Sequence, residues 1–83
     1  MSSTVFITGA NRGIGLSLTK LYFDYGWQVH ATTRNLANSD ELLSLSNQHF
    51  SLTLHELDVT NYKQVAQLAK NLPAIDLLIN NAG

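Results

Sequence analysis

The segment Thr8-Gly9-Ala10-Asn11-Arg12-Gly13-Ile14-Gly15 constrains this chain more than any other. It follows the short apolar run Thr4–Thr8 directly and opens a stretch with helical spacing. Glycines between a strand and a helix have physical uses. One permits a tight turn at positive φ, one lets a backbone approach a phosphate with no Cβ in the way, and one allows close packing of helix on strand. The unpaired N–H groups at the start of the helix, with its dipole, favour phosphate charge at the same place. A nucleotide-binding turn at the head of a βαβ unit is therefore the expected reading. The Walker-type phosphate loop is excluded, because no Gly-Lys-Ser/Thr follows.

Further along, strand-length apolar runs at Gln28–Thr33, Ser51–Leu57 and Ile75–Asn80 alternate with helical stretches. Leu18, Leu21, Tyr22 and Tyr25 sit at i, i+3, i+4 and i+7, and so do Val65, Leu68, Ala69 and Leu72. Gly26 stands where a helix C-cap is wanted, Pro73 just beyond the third helix, and Thr60 where that helix needs an N-cap. The middle helix, over about Ser39–Ser46, has the least regular period. The order β-α-β-α-β-α-β with short connections predicts an α/β, Rossmann-type three-layer fold with a parallel sheet in strand order 3-2-1-4.

The glycine spacing is Thr-Gly-x-x-x-Gly-Ile-Gly rather than GxGxxG. Asp58-Val59-Thr60 follows the third strand, and Asn80-Asn81-Ala82-Gly83 follows the fourth. In these three motifs, taken in order, the chain resembles the short-chain dehydrogenases/reductases, and the resemblance covers nearly all of it. The resemblance implies that the turn from Gly9 through Asn11, Arg12, Gly13 and Ile14 to Gly15 holds a pyrophosphate. It also implies that Asp58, with Val59, faces the adenine, and that Asn81, Ala82 and Gly83 lie along the ribose and nicotinamide. Taken alone, Asp58 also has a secondary reading as a helix N-terminal carboxylate stabilised by the dipole. Asn80 is expected to tie strand 4 to neighbouring backbone.

NAD sites usually place a carboxylate about 20 residues after the turn to accept the ribose hydroxyls. Here no Asp or Glu lies between Asp24 and Asp40, and strand 2 runs instead into Arg34. A guanidinium suits the 2′-phosphate of NADP by charge and by fork geometry. Arg12, immediately before the second glycine of the turn, is a second basic residue, so NADP(H) is the expected cofactor. On this argument a carboxylate at Thr33 with Arg34 removed would favour NAD.

The family's chemistry uses a Ser with a Tyr-x-x-x-Lys pair, which this chain lacks; the residues four beyond Tyr22, Tyr25 and Tyr62 are Gly26, Val29 and Ala66. No catalytic residue is therefore expected within residues 1–83. The chain reads as an incomplete NADP-binding domain, truncated after strand 4 and inactive alone, from an oxidoreductase acting on a small-molecule carbonyl or alcohol. The other reading is a non-catalytic nucleotide-binding or partner-binding module. His30, His49 and His55 have no metal-ligand spacing, and no metal is expected. A net charge of −1 provides no field for nucleic acid or anionic lipid. No leader or membrane span is legible, so a cytoplasmic location is expected, with oligomers possible in the parent.

Overall fold

A computed structural model describes residues 3–11, 13–48 and 51–81. In chain order the elements are β1 (Thr4–Ile7), α1 (Gly13–Asp24), β2 (Gln28–Thr33), a 3-10 turn (Leu36–Asn38) and α2 (Asp40–Gln48). They continue with β3 (Leu52–Glu56), α3 (Tyr62–Asn71) and β4 (Leu77–Ile79). All pairings are parallel and the order is β3-β2-β1-β4, as expected from the sequence.

Side chains alternate across the strands and divide the sheet into two unequal faces. Val5 and Ile7 of β1 lie in register with Val29 and Ala31 of β2, and all four are fully buried. Leu16 of α1, Leu42 of α2 and Leu52 of β3 complete this core. Phe6, His30 and His55 occupy the other face, where Leu78 is 63% exposed. α3 runs beside β3 and buries no residue fully; an open groove of ≈530 Å³ separates Leu54–Leu57 from Gln64 and Leu68.

The amphipathic stripe of α1 differs from the spacing read in the sequence. Leu18 and Tyr22 pack on the core, but Leu21 and Tyr25 are exposed, and Tyr25 lies past the last helical residue. The buried face is Gly15, Leu16 and Thr19, with Thr19 Oγ1 donating to the Gly15 carbonyl at 2.8 Å. A glycine and a threonine carry no apolar signal, which is why periodicity displaced the stripe. Gly26 closes the helix as expected: its N–H donates to the Phe23 carbonyl and that of Trp27 to the Tyr22 carbonyl, the paired bonds of a Schellman cap.

The N-cap of α3 is Asn61, not Thr60. Asn61 Oδ1 accepts from the Gln64 N–H, whereas Thr60 donates through both its N–H and its hydroxyl to Asp58 Oδ1. At the far edge, β4 is anchored by Asp76, whose Oδ2 accepts the Thr4 N–H at 2.7 Å while its own N–H donates to the Thr4 carbonyl.

On the thinner face, the His30 and His55 rings stack 5.2 Å apart with Nδ1 of His30 2.9 Å from Nε2 of His55. One ring donates and the other accepts, so protonating both would set two donors against each other. Burial lowers both pKa values from the usual 6.5, and for His55 the charge of His30 acts the same way. With the folded values depressed, the neutral pair is the stabilised form. Its contribution is complete above the unfolded value and is lost as pH falls through the folded ones. The melting temperature is therefore expected to drop as pH is lowered from about 7 to about 5, and His55→Gln should flatten that slope. A slope unchanged in His55→Gln would exclude the pair as its source.

Candidate cofactor site

The turn after β1 is pinned on both sides. The Thr8 N–H donates to the Ile79 carbonyl at 3.0 Å, and the Ala10 N–H donates to the Thr32 carbonyl at 2.9 Å. Between and after these anchors the backbone enters the left-handed region at Gly9 (φ +62°) and Gly13 (φ +59°), where a side chain would be strained. Gly15 serves the third purpose, close packing: a Cβ built there would lie 2.0 Å from the Gly9 carbonyl oxygen and 2.7 Å from Asn81 Nδ2. α1 therefore begins directly against the turn, with no acidic residue in its first turn to compete with a phosphate.

Asn80 and Asn81 lock the end of β4 to this turn. The Thr8 hydroxyl donates to Asn80 Oδ1 at 3.0 Å and accepts the Asn81 N–H at 2.9 Å. Asn81 Nδ2 donates to the Gly9 carbonyl at 3.1 Å. Asn80 does tie strand 4 to its neighbour, but its partner is the Thr8 hydroxyl and not the backbone expected from the sequence.

These elements enclose an open cleft of ≈920 Å³ at the C-terminal ends of the strands, the position where open parallel sheets bind ligands. Of the residues singled out in the sequence, Gly9, Asn11, Gly13, Arg34, Val59 and Asn81 line it. Gly15 is buried beneath the turn, and Ile14 is 71% exposed and is not among the lining residues. Asp58 stands between Leu57 and Val59, which both line the cleft. Its Oδ1 accepts the Thr60 hydroxyl at 2.6 Å and the Thr60 N–H at 2.9 Å. Those bonds, the hydroxyl first, hold the Asp58 carboxyl below its ordinary range, and the charge of Arg34 acts in the same direction. Arg12, Ala82 and Gly83 lie outside the described residues.

Sequence reasoning missed Thr32, Asn35, Asn38 and Leu57 as lining residues. The amide side chains of Asn35 and Asn38, clustered just after Arg34, were the available signal. Thr33 also borders the cleft, but its side chain is 2% exposed and meets Ser39 Oγ at 3.2 Å. A carboxylate at position 33 would first break that contact. Among the described residues, no group of three His, Cys, Asp or Glu is placed to hold a metal, and no helix is long and apolar enough to cross a membrane.

A parallel sheet in this order, with a glycine turn and a cleft at its strand ends, defines a Rossmann-type dinucleotide-binding fold. The chain matches the family described as short chain dehydrogenase over residues 3–83, and it belongs to that family. It is 35% identical over 89 residues to the short-chain dehydrogenase cctT of Talaromyces islandicus, covering 100% of this chain and 30% of that protein. It is also 35% identical over 83 residues to the NADP-dependent 3-hydroxy acid dehydrogenase YdfG of Escherichia coli K12, covering 95% of this chain and 33% of that one. A carbonyl reductase from Pseudomonas aeruginosa PAO1, solved in complex with NADP, superimposes with a TM-score of 0.92 at 32% identity; the match covers 100% of this chain and 37% of that one. The chain spans about a third of the length of the curated relatives it matches.

Proposed function

We propose that this chain is the cofactor-binding portion of an NADP(H)-dependent oxidoreductase that moves a hydride between nicotinamide and a carbonyl or alcohol substrate. The observation that carries the reading is the composition of the cleft at the end of β2. Arg34, Asn35 and Asn38 line it there, and no acidic residue lies between Asp24 and Asp40. A cation with amide donors suits a phosphate monoester, whereas ribose hydroxyls are usually met by a carboxylate. Relatives whose names include NADP support the same choice.

The residues present fit the cofactor. Gly9 and Gly13 bring backbone without a Cβ to the cleft, the start of α1 favours the pyrophosphate, and Leu57 and Val59 offer apolar contact at the adenine end. The bound nicotinamide would supply the hydride chemistry. Proton transfer to or from the substrate oxygen falls to residues outside these 83, because they contain no Tyr-x-x-x-Lys pair.

The test is a pair of binding titrations on the full-length protein, with NADPH and with NADH, followed by turnover of a panel of aldehydes and ketones monitored by nicotinamide absorbance. The expected result is tighter NADPH binding and substrate-dependent NADPH oxidation. Equal affinities would overturn the cofactor assignment. Binding without turnover of any carbonyl or alcohol would favour a non-catalytic nucleotide-binding module.

A further inference from the structure

The segment after Arg34 is held by a closed ring of hydrogen bonds. The Asn35 N–H donates to Thr33 Oγ1 at 3.3 Å, and Ser39 Oγ donates to the Asn35 carbonyl at 2.8 Å. The two hydroxyl oxygens are 3.2 Å apart. Ser39 has one hydroxyl hydrogen, already committed to Asn35, so Thr33 must be the donor between them. The ring runs in one direction: Asn35 N–H to Thr33, Thr33 to Ser39, Ser39 to the Asn35 carbonyl. Both hydroxyls are buried, Ser39 1% and Thr33 2% exposed, where such a chain polarises each of its members. The ring spans two rigid supports, since Thr33 ends β2 and the Ser39 carbonyl accepts the Leu43 N–H of α2.

The other backbone donors of this segment are also engaged within the protein. The Leu36 N–H goes to Glu56 Oε2, that of Ala37 to Asn35 Oδ1, that of Asn38 to the Asn35 carbonyl and that of Ser39 to the Leu36 carbonyl. Residues 35–39 thus have no main-chain amide left for an anion. With those amides engaged, the Arg34 side chain is the charged group left at this end of the cleft to select a phosphate, and its geometry depends on how rigidly the adjoining backbone is held.

We propose that Ser39 and Thr33 are positioning residues for a 2′-phosphate subsite. Their hydroxyl ring fixes the Asn35 backbone and so sets where the Arg34 guanidinium meets a phosphate monoester on the adenosine ribose. This rests on the NADP(H) reading above. Neither hydroxyl touches the phosphate, so their removal is a loss of preorganisation, seen with NADPH and not with NADH.

The experiment titrates NADPH and NADH into full-length wild type, Arg34→Ala, Ser39→Ala, Thr33→Val and Thr33→Ser, with thermal melts of each. Ser39→Ala and Thr33→Val should each weaken NADPH binding about three- to tenfold, the range of one neutral hydrogen bond, and shift NADH by less than about twofold. Thr33→Ser keeps the hydroxyl and should retain most of the wild-type ratio, a rescue that packing alone would not produce. The Thr33 pair decides the matter if Ser39→Ala does not fold. An Arg34→Ala variant that loses the NADPH preference while Ser39→Ala and Thr33→Val keep it would overturn the ring and spare the cofactor reading. Equal losses for both cofactors would overturn it too. A wild type without preference removes both.

Discussion

Gly15→Ala is expected to lower the melting temperature of the protein by more than about 10 °C and to abolish measurable cofactor binding. The added Cβ would sit 2.0 Å from the Gly9 carbonyl oxygen and 2.8 Å from its carbon. A flexible side chain could swing away, but backbone can move only with the whole turn. That turn is fixed by Thr8 on β4 and by Ala10 on β2. Overpacking ordinarily costs ~1–3 kcal/mol, and a backbone obstacle places this site at the upper end or beyond. Against a total of ~5–15 kcal/mol that is a large fraction. Gly13→Ala provides the control. Nothing lies within 4 Å of its Cβ position, so only the φ of +59° opposes substitution, worth ~1–2 kcal/mol. Thermal melts and NADPH titrations of both variants separate steric from conformational requirements. A Gly15→Ala protein melting at or above Gly13→Ala would show that the turn shifts freely and that the close packing is not what holds α1 in place.

The outline of this fold is legible because each signal has one cause. Strand-length apolar runs alternate with helical stretches, and helical crossovers between successive strands give parallel neighbours. β2 spans Gln28–Thr33 just as its apolar run does. Local chemistry was harder to read where two residues compete for one role. Thr60 has the side chain of an N-cap, but Asp58 takes both its donors and leaves Asn61 to cap α3. The stripe of α1 was displaced because its closest contact is made by Gly15, a residue with no side chain. In the cleft, the glycines and Arg34 were visible through their own chemistry. Ser39 was not: its importance lies in the 3-10 turn over Leu36–Asn38, which brings it back to Asn35, and nothing in its own character announces that contact.

Arg34→Ala should reduce the affinity of the full-length protein for NADPH about tenfold while leaving NADH almost unchanged. Arg34 lines the cleft from an exposed position just past β2. A charge-assisted hydrogen bond typically contributes ~1.5–3 kcal/mol, and solvent screening at such a position argues for the lower end. A second effect has the same sign. Arg34 is close enough to Asp58 for its charge to stabilise that carboxylate. Removing the guanidinium leaves the Asp58 charge less compensated near a ligand bearing an additional phosphate, a penalty that NADH does not incur to the same extent. Arg34→Lys separates charge from geometry: an ammonium keeps the attraction but loses the planar fork, so its preference should fall between those of wild type and alanine. Raising salt from about 0.05 M to about 0.5 M should shrink the wild-type preference toward that of Arg34→Ala, because it rests on an exposed ionic contact. The measurement is the ratio of the two dissociation constants for each variant at both salt concentrations. A wild-type preference that survives Arg34→Ala, or that is indifferent to salt, would mean that the guanidinium is a solvated surface charge and that selection for the phosphate lies elsewhere in the cleft.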